Sequence, residues 1–402
     1  MKRLTLLPLL LMAGTAPALA EEPAPRNARF QGVPRIGSTD GWSIRVRGRV
    51  QYDLGNVERP DGVTLADLGY VDEFRRVRLG VEGTAPHGFN YVFEMEFAED
   101  VDEIVDAYIA YKASDRITLT AGQHNNFQSL DELTSGRFNA FIERAAFTDA
   151  FNFERRLGAS ATYAHGPVTA QAGAFIDNLL DVDEGDGTWS LDGRIVYAPR
   201  LGNTQLHLGA SAHWRDNGDL VSRGTTTRYR QRPLIHATDV RFIGTPALAV
   251  DNETGFGLEA AAIRGPFHVT GEAHWLGADT APGPDRHFFG GYVEAGWFLT
   301  GESRGYRGAR WDRTHVKRSI EEGGFGAVQL NLRYDYLELN SGPVRGGTQN
   351  GLQIGLTWIP TDYVRFLINY ARLSYDGAII SAAGGDRSYS VDVIGARAQI
   401  DF

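Results

Sequence analysis

Arginine recurs at every second position in three places along this 402-residue chain: Arg45, Arg47 and Arg49; Arg76 and Arg78; and Arg228, Arg230 and Arg232. A guanidinium is a planar, bidentate donor for oxyanions, and its charge does not titrate. On extended backbone a spacing of two sets successive side chains roughly 6.5–7 Å apart on one face. An anion can then pass from one site to the next before leaving the first, which keeps binding weak enough for transit. These eight arginines are therefore candidates for an anion path. The first row could also pair with Glu94 and Glu96 across adjacent strands, and a paired wall is compatible with a conducting one.

Other chemistry is poorly served. His268, Glu272 and His274 share a face, but extended spacing separates His268 from Glu272 by roughly 13 Å, too far for one metal ion. Ser135 has no His and Asp at a recognisable spacing for nucleophilic catalysis. The chain contains no Cys, which excludes disulfides and thiolate metal centres. No catalytic residue, metal or cofactor is expected.

Strands must position the arginines, because no helix keeps such rows on one face. Trp42, Ile44, Val46, Gly48, Val50 and Tyr52 alternate with Ser43, Arg45, Arg47, Arg49, Gln51 and Asp53, and the same period of two returns along the chain. It predicts strands near 42–54, 73–83, 89–98, 104–113, 116–123, 155–165, 167–177, 188–198, 203–215, 254–264, 266–277, 287–302, 324–338, 349–359, 362–374 and 388–402. One face of each is apolar with aromatic ends and the other is charged, as in a transmembrane antiparallel β-barrel whose lumen is wet. Short links at Pro86-His87-Gly88, Ser114-Asp115, Gly166, Gly202-Asn203, Gly265-Pro266 and Pro360-Thr361 follow even-numbered strands. They mark the inner side.

Sixteen strands require that residues 216–253 form one long outer loop, although 228–242 is itself strand-like. They also make 303–323 a long inner connection, bearing Arg304, Arg307, Arg310, Arg313, Lys317 and Arg318 as candidates for the inner mouth. At the start, Lys2 and Arg3, the apolar stretch Leu4–Met12 and the ending Ala18-Leu19-Ala20 read as a cleaved secretory signal over residues 1–20. A flexible leader, 21–41, then precedes a barrel over 42–402. Without Lys2 and Arg3 there are 38 basic and 50 acidic residues, a net −12, which disfavours nucleic acid as a partner. A terminal Phe402 on the apolar parity completes the pattern of a bacterial outer-membrane protein surrounded by lipid.

Three stretches resemble one family, the phosphate- and polyphosphate-selective porins of the porin O/P type. They are Gly122–Phe151, with Leu133-Thr134-Ser135 and Phe141-Ile142-Glu143-Arg144; Arg228–Phe242; and Gly296–Tyr306, with Leu299-Thr300-Gly301-Glu302. With the matching start and end, the resemblance covers nearly all of the mature chain. It implies that Gln123–Phe151 folds inward as a constriction loop carrying Arg137, Glu143 and Arg144, that the protein is a homotrimer, and that phosphate, polyphosphate or related oxyanions diffuse through it. One departure is chemical: phosphate-selective members carry many lumen lysines near the inner mouth, whereas the mature chain has only Lys112 and Lys317. Where the constriction segment often has a lysine, this chain has His124, Asn125 and Asn126. The sequence therefore speaks more clearly for anions than for phosphate, and the alternatives are a general or organic-solute porin without phosphate selectivity and, less favoured, an outer-membrane β-barrel enzyme.

Overall fold

In a computed structural model, which describes residues 30–402 apart from 39, 99–102, 180–186, 219–220, 222–223 and 282, the alternating segments close into an antiparallel barrel. The expected signal and residues 21–29 of the leader lie outside the described residues. Among the described residues the barrel has sixteen strands. The first eight are β1 Ser43–Val57, β2 Gly69–Ala85, β3 Phe89–Glu96, β4 Glu103–Lys112, β5 Ile117–Asn125, β6 Arg155–His165, β7 Val168–Phe175 and β8 Trp189–Tyr197. The second eight are β9 Thr204–Asp216, β10 Val250–Arg264, β11 Phe267–Thr280, β12 Arg286–Phe298, β13 Ala327–Ser341, β14 Val344–Thr361, β15 Val364–Asp376 and β16 Ser390–Asp401. Each strand pairs with its neighbours in sequence, and β16 returns to β1 with Asp53 opposite Arg397. Closure leaves no edge strand, as hydrocarbon surroundings demand.

The pleat sorts the side chains. On β15, Phe366, Ile368 and Tyr370 face outward while Arg365 and Asn369 are buried in the lumen. Ile195, Leu258, Val293 and Ile368 are exposed on the outer wall of the isolated chain, where a bilayer supplies their apolar contact. Aromatic pairs ring both ends: Phe89 with Tyr111 and Phe267 with Trp297 near the inner turns, and Trp189 with Trp214 near the outer loops. Such girdles sit at membrane interfaces.

Residues 228–242 add no barrel strand and make only isolated bridges, Thr227 to Leu248 and Arg230 to Gly244, within the outer loop 217–249. Two details differ from the sequence pattern. Strands β13 and β14 do not stop near 338 and 349; pairing continues to Ser341 opposite Val344 around a two-residue turn. Gly342 supplies the positive φ of 57° that this turn needs, and the adjacent Gly346-Gly347 had hidden the alternation. On β2, Gln51 of β1 faces Arg76 but Tyr52 faces Phe74, so Arg75 is an extra residue in a β-bulge. The bulge switches the parity of the strand and turns both Arg75 and Arg76 inward.

Candidate functional site

Residues 126–154, between β5 and β6, fold into the barrel. Ser129 caps the short helix α1, Leu130–Leu133, by accepting from the Asp131 and Glu132 amides at 3.1 and 3.2 Å. Glu272 on β11 ties this turn to the wall, accepting from Ser129 Oγ, the Leu130 and Asp131 amides and Tyr292 Oη at 2.8–2.9 Å. Farther along, the loop follows the wall round to β13 and β15. Asn369 accepts from the Ile142 amide at 2.7 Å, and Asp335 accepts from the Ala146 amide, at the start of helix α2 (Ala146–Ala150), at 3.0 Å. Phe141 and Ile142 fit over glycines: a Cβ on Gly355 would stand 3.2 Å from the Phe141 ring, and one on Gly395 2.5 Å from Ile142 Cδ1. The wall is thus hollowed where the loop's apolar side chains enter.

The tip, Ser135-Gly136-Arg137-Phe138, is held by main-chain contacts. Gln51 donates to Gly136 O at 3.2 Å, Gln399 to Arg137 O at 3.2 Å, and Arg365 to Asn139 O at 2.9 Å and to Arg137 O. Arg137 leans over Phe138 with 5.3 Å to the ring centre, and its Nε donates to Ser135 Oγ. Glu143 and Arg144 do not pair with each other. Arg144 donates to Asp131 O, Glu132 O and Thr134 O at 2.9–3.0 Å, so it clasps the end of α1. Glu143 binds Arg75 at 2.9 Å and Arg397 at 3.0 Å. Burial opposes its ionisation, but Arg75, Arg397 and Arg76 outweigh that and hold its carboxyl well below the usual range. Glu132 moves the other way: burial raises it and Arg144 offsets only part.

Arg45, Arg47 and Arg49 all point into the lumen, from the inner mouth towards the loop tip. The first two are closely paired and the third is not. Arg45 pairs with Glu82, Arg47 with Glu82 and Glu94 at 3.4 and 3.0 Å, and Arg78 with Glu96 at 2.6 Å. Arg49 is less satisfied: its nearest carboxylate is Glu94 at 3.9 Å, and its Nε and Nη1 have no hydrogen-bond acceptor among the described residues. Arg76 donates to Gln51 Oε1 at 3.1 Å. A Cβ on Gly136 would lie 3.6 Å from Arg76 Nη1 and 3.7 Å from Arg49 Nη1, so both guanidiniums meet the constriction loop at one point.

Below that point lies a vestibule of about 660 Å³, lined by Arg35, Arg45, Arg47, Arg49, Arg137, Arg155, Arg307 and Arg310 against Glu82, Glu94, Asp106 and Asp312. Eight cations against four carboxylates leave it positive. Sequence periodicity missed Arg35, Arg75 and Arg155. Arg35 enters because Ile36–Gly37 folds back on β1, and Arg155 because Asp106 holds it at 2.8 Å. Adjacent arginines inside an alternating strand, as at Arg75-Arg76, were the available signal.

Arg307 and Arg310 come from the inner connection, residues 299–326, which rises into the lumen as a small hairpin, Gly305–Arg307 with Arg310–Asp312. Arg304 binds Glu294 at 2.7 Å and lies 4.0 Å from the Trp311 ring centre, Tyr306 Oη meets His207 at 2.7 Å, and Trp311 packs with Leu130 of α1. The connection fills the lumen beneath the constriction loop on that side.

The outer triplet has a different setting. Arg228 and Arg230 are exposed, and Arg232 is paired with Asp149 at 3.6 Å and Asp239 at 3.2 Å. Tyr229, Leu234, Ile235, Phe242 and Ile243 are buried, so this segment packs down as an outer plug whose apolar side chains join those of α2. Arg232 lines a chamber of about 150 Å³ above the constriction with Arg75, Arg144, Glu132, Glu143, Asp149 and Asp335. His268, Glu272 and His274 face the lumen separately: His268 meets Gln329 and Arg304, Glu272 holds the loop, and His274 stacks on Phe147 with ring centres 5.7 Å apart.

Residues 44–402 match the family described as phosphate-selective porin O and P. A Caulobacter vibrioides protein of uncharacterised function is 48% identical over 388 residues, covering 94% of this chain and 78% of that one. Porin O of Pseudomonas aeruginosa is 25% identical over 389 residues, 87% of each. Among solved structures, the anion-selective porin from Comamonas acidovorans superposes with a TM-score of 0.57 at 12% identity, over 90% of this chain and all of that one.

Proposed function

The chain belongs to the family of phosphate-selective porins O and P, an outer-membrane β-barrel family, and from that premise we propose that it conducts small oxyanions passively through an arginine-lined pore. The observation that carries this reading is the unbalanced charge of the inner vestibule, eight arginines to four carboxylates, leading up to Arg49 and Arg76 at Gly136. The constriction loop supplies the obstruction, and the guanidiniums beside it replace part of an entering anion's hydration. Fixed positive charge in a narrow, partly dehydrated passage raises the local anion concentration and repels cations. The family's description as phosphate-selective supports the same sign.

On this reading residues 1–20 direct export and are removed, the barrel of residues 42–402 sits in lipid as a homotrimer, and the protein is a channel rather than an enzyme. Reversal potential in a planar bilayer under a potassium chloride gradient tests the proposal. It should lie on the chloride side; a potential on the potassium side refutes it.

A further inference from the structure

The inner vestibule is not polar throughout. Tyr108 of β4 and Phe127, Leu133 and Phe138 of the constriction loop line it beside the arginines. Tyr108 and Phe138 are half-buried, so part of each ring faces the open space. Two guanidiniums lie near the Phe138 ring: Arg137 at 5.3 Å from its centre and Arg313 at 5.2 Å, the latter bound to Asp401 and to Asp362 O. Guanidinium beside an exposed aromatic face accommodates an anion that carries its own flat apolar body.

A fully hydrated inorganic oxyanion gains nothing from these rings. Glu82, Glu94 and Asp106 offset part of the arginine field, and shedding hydration costs a dianion more than a monoanion, so higher charge alone brings little advantage here. A carboxylate needs only one planar pair of donors. The space, about 660 Å³, is large enough for a ring-sized body as well as its head group.

We propose that the vestibule binds organic monocarboxylates bearing a ring-sized apolar body in preference to inorganic phosphate, with the carboxylate on Arg137, which stands 3.8 Å from Asp401, and the ring against Phe138 and Tyr108. This rests on the anion-path reading and adds the substrate class. Shielding about half of a benzoate ring from water corresponds to roughly a tenfold gain in affinity over acetate.

The test is block of chloride current through the purified protein by benzoate, acetate and phosphate. Benzoate should half-block at roughly a tenth of the acetate concentration, and below the phosphate concentration. In the Phe138→Ala, Tyr108→Ala double variant the benzoate-to-acetate ratio should fall to about one, since only the ring contacts are removed. Equal block by benzoate and acetate, or tightest block by phosphate, overturns the inference while leaving an anion pore in place. A cation-selective reversal potential instead overturns the underlying reading. The comparison of blockers on the unaltered protein does not depend on the variant folding.

Discussion

Changing Arg49 and Arg76 together to Gln removes the two wall charges that meet Gly136 and leaves shorter, neutral side chains that can still donate hydrogen bonds. An anion lodged by Gly136 would sit about 4 Å from each guanidinium, where one charge pair is worth about 1 kcal/mol in bulk water and about 4 at an effective dielectric of 20. Taking the lower figure for a wet, salt-screened pore, the two losses sum to about 2 kcal/mol, roughly a thirtyfold fall in local anion occupancy. The barrel should fold unchanged, because Glu94 keeps Arg47 at 3.0 Å and Arg78 at 3.6 Å. Heat-modifiable migration checks folding, and reversal potential in a salt gradient gives the permeability ratio. A folded double variant with the parental ratio would show that anions do not pass beside Gly136.

Arg144→Ala removes three charge-assisted bonds to carbonyls of the α1 turn, which should weaken loop docking by roughly 2–4 kcal/mol and give larger, noisier single-channel currents. Glu143 is held well below the usual carboxylate range by Arg75, Arg397 and Arg76, so its contribution to loop docking is complete above that range and is lost only as pH falls through the depressed value. Conductance recorded from pH 7 downwards should stay steady through pH 4, and Glu143→Gln should show at neutral pH the noise that the parent shows only in stronger acid. Arg228→Ala with Arg230→Ala should lower conductance slightly in dilute salt and not at all at 1 M, because exposed charges act only by steering.

The period of two carried the barrel: strand number, the inner side of the tight turns and the inward face of Arg45, Arg47 and Arg49 all follow from it. What it could not carry is long-range. Arg75 entered the lumen through a bulge, and a one-residue insertion leaves no trace in the alternation except two adjacent arginines. The pairing of Arg144 with α1 carbonyls, and of Glu143 with Arg397 some 250 residues away, depends on how the loop crosses the barrel. The outer segment containing Arg228, Arg230 and Arg232 has the spacing of a strand, yet Tyr229 buries itself against Phe288, Phe242 against Tyr375 and Ile235 over Gly55, which leaves the first two arginines outside. Apolar residues in an outer loop were the sign that it folds down.

The most direct test of the anion path is to locate anions within it by anomalous diffraction from crystals soaked in bromide. Ordered bromide should lie in the inner vestibule and beside Gly136, between Arg49 and Arg76. Bromide confined to the outer surface around Arg228 and Arg230, with the vestibule empty, would contradict the assignment.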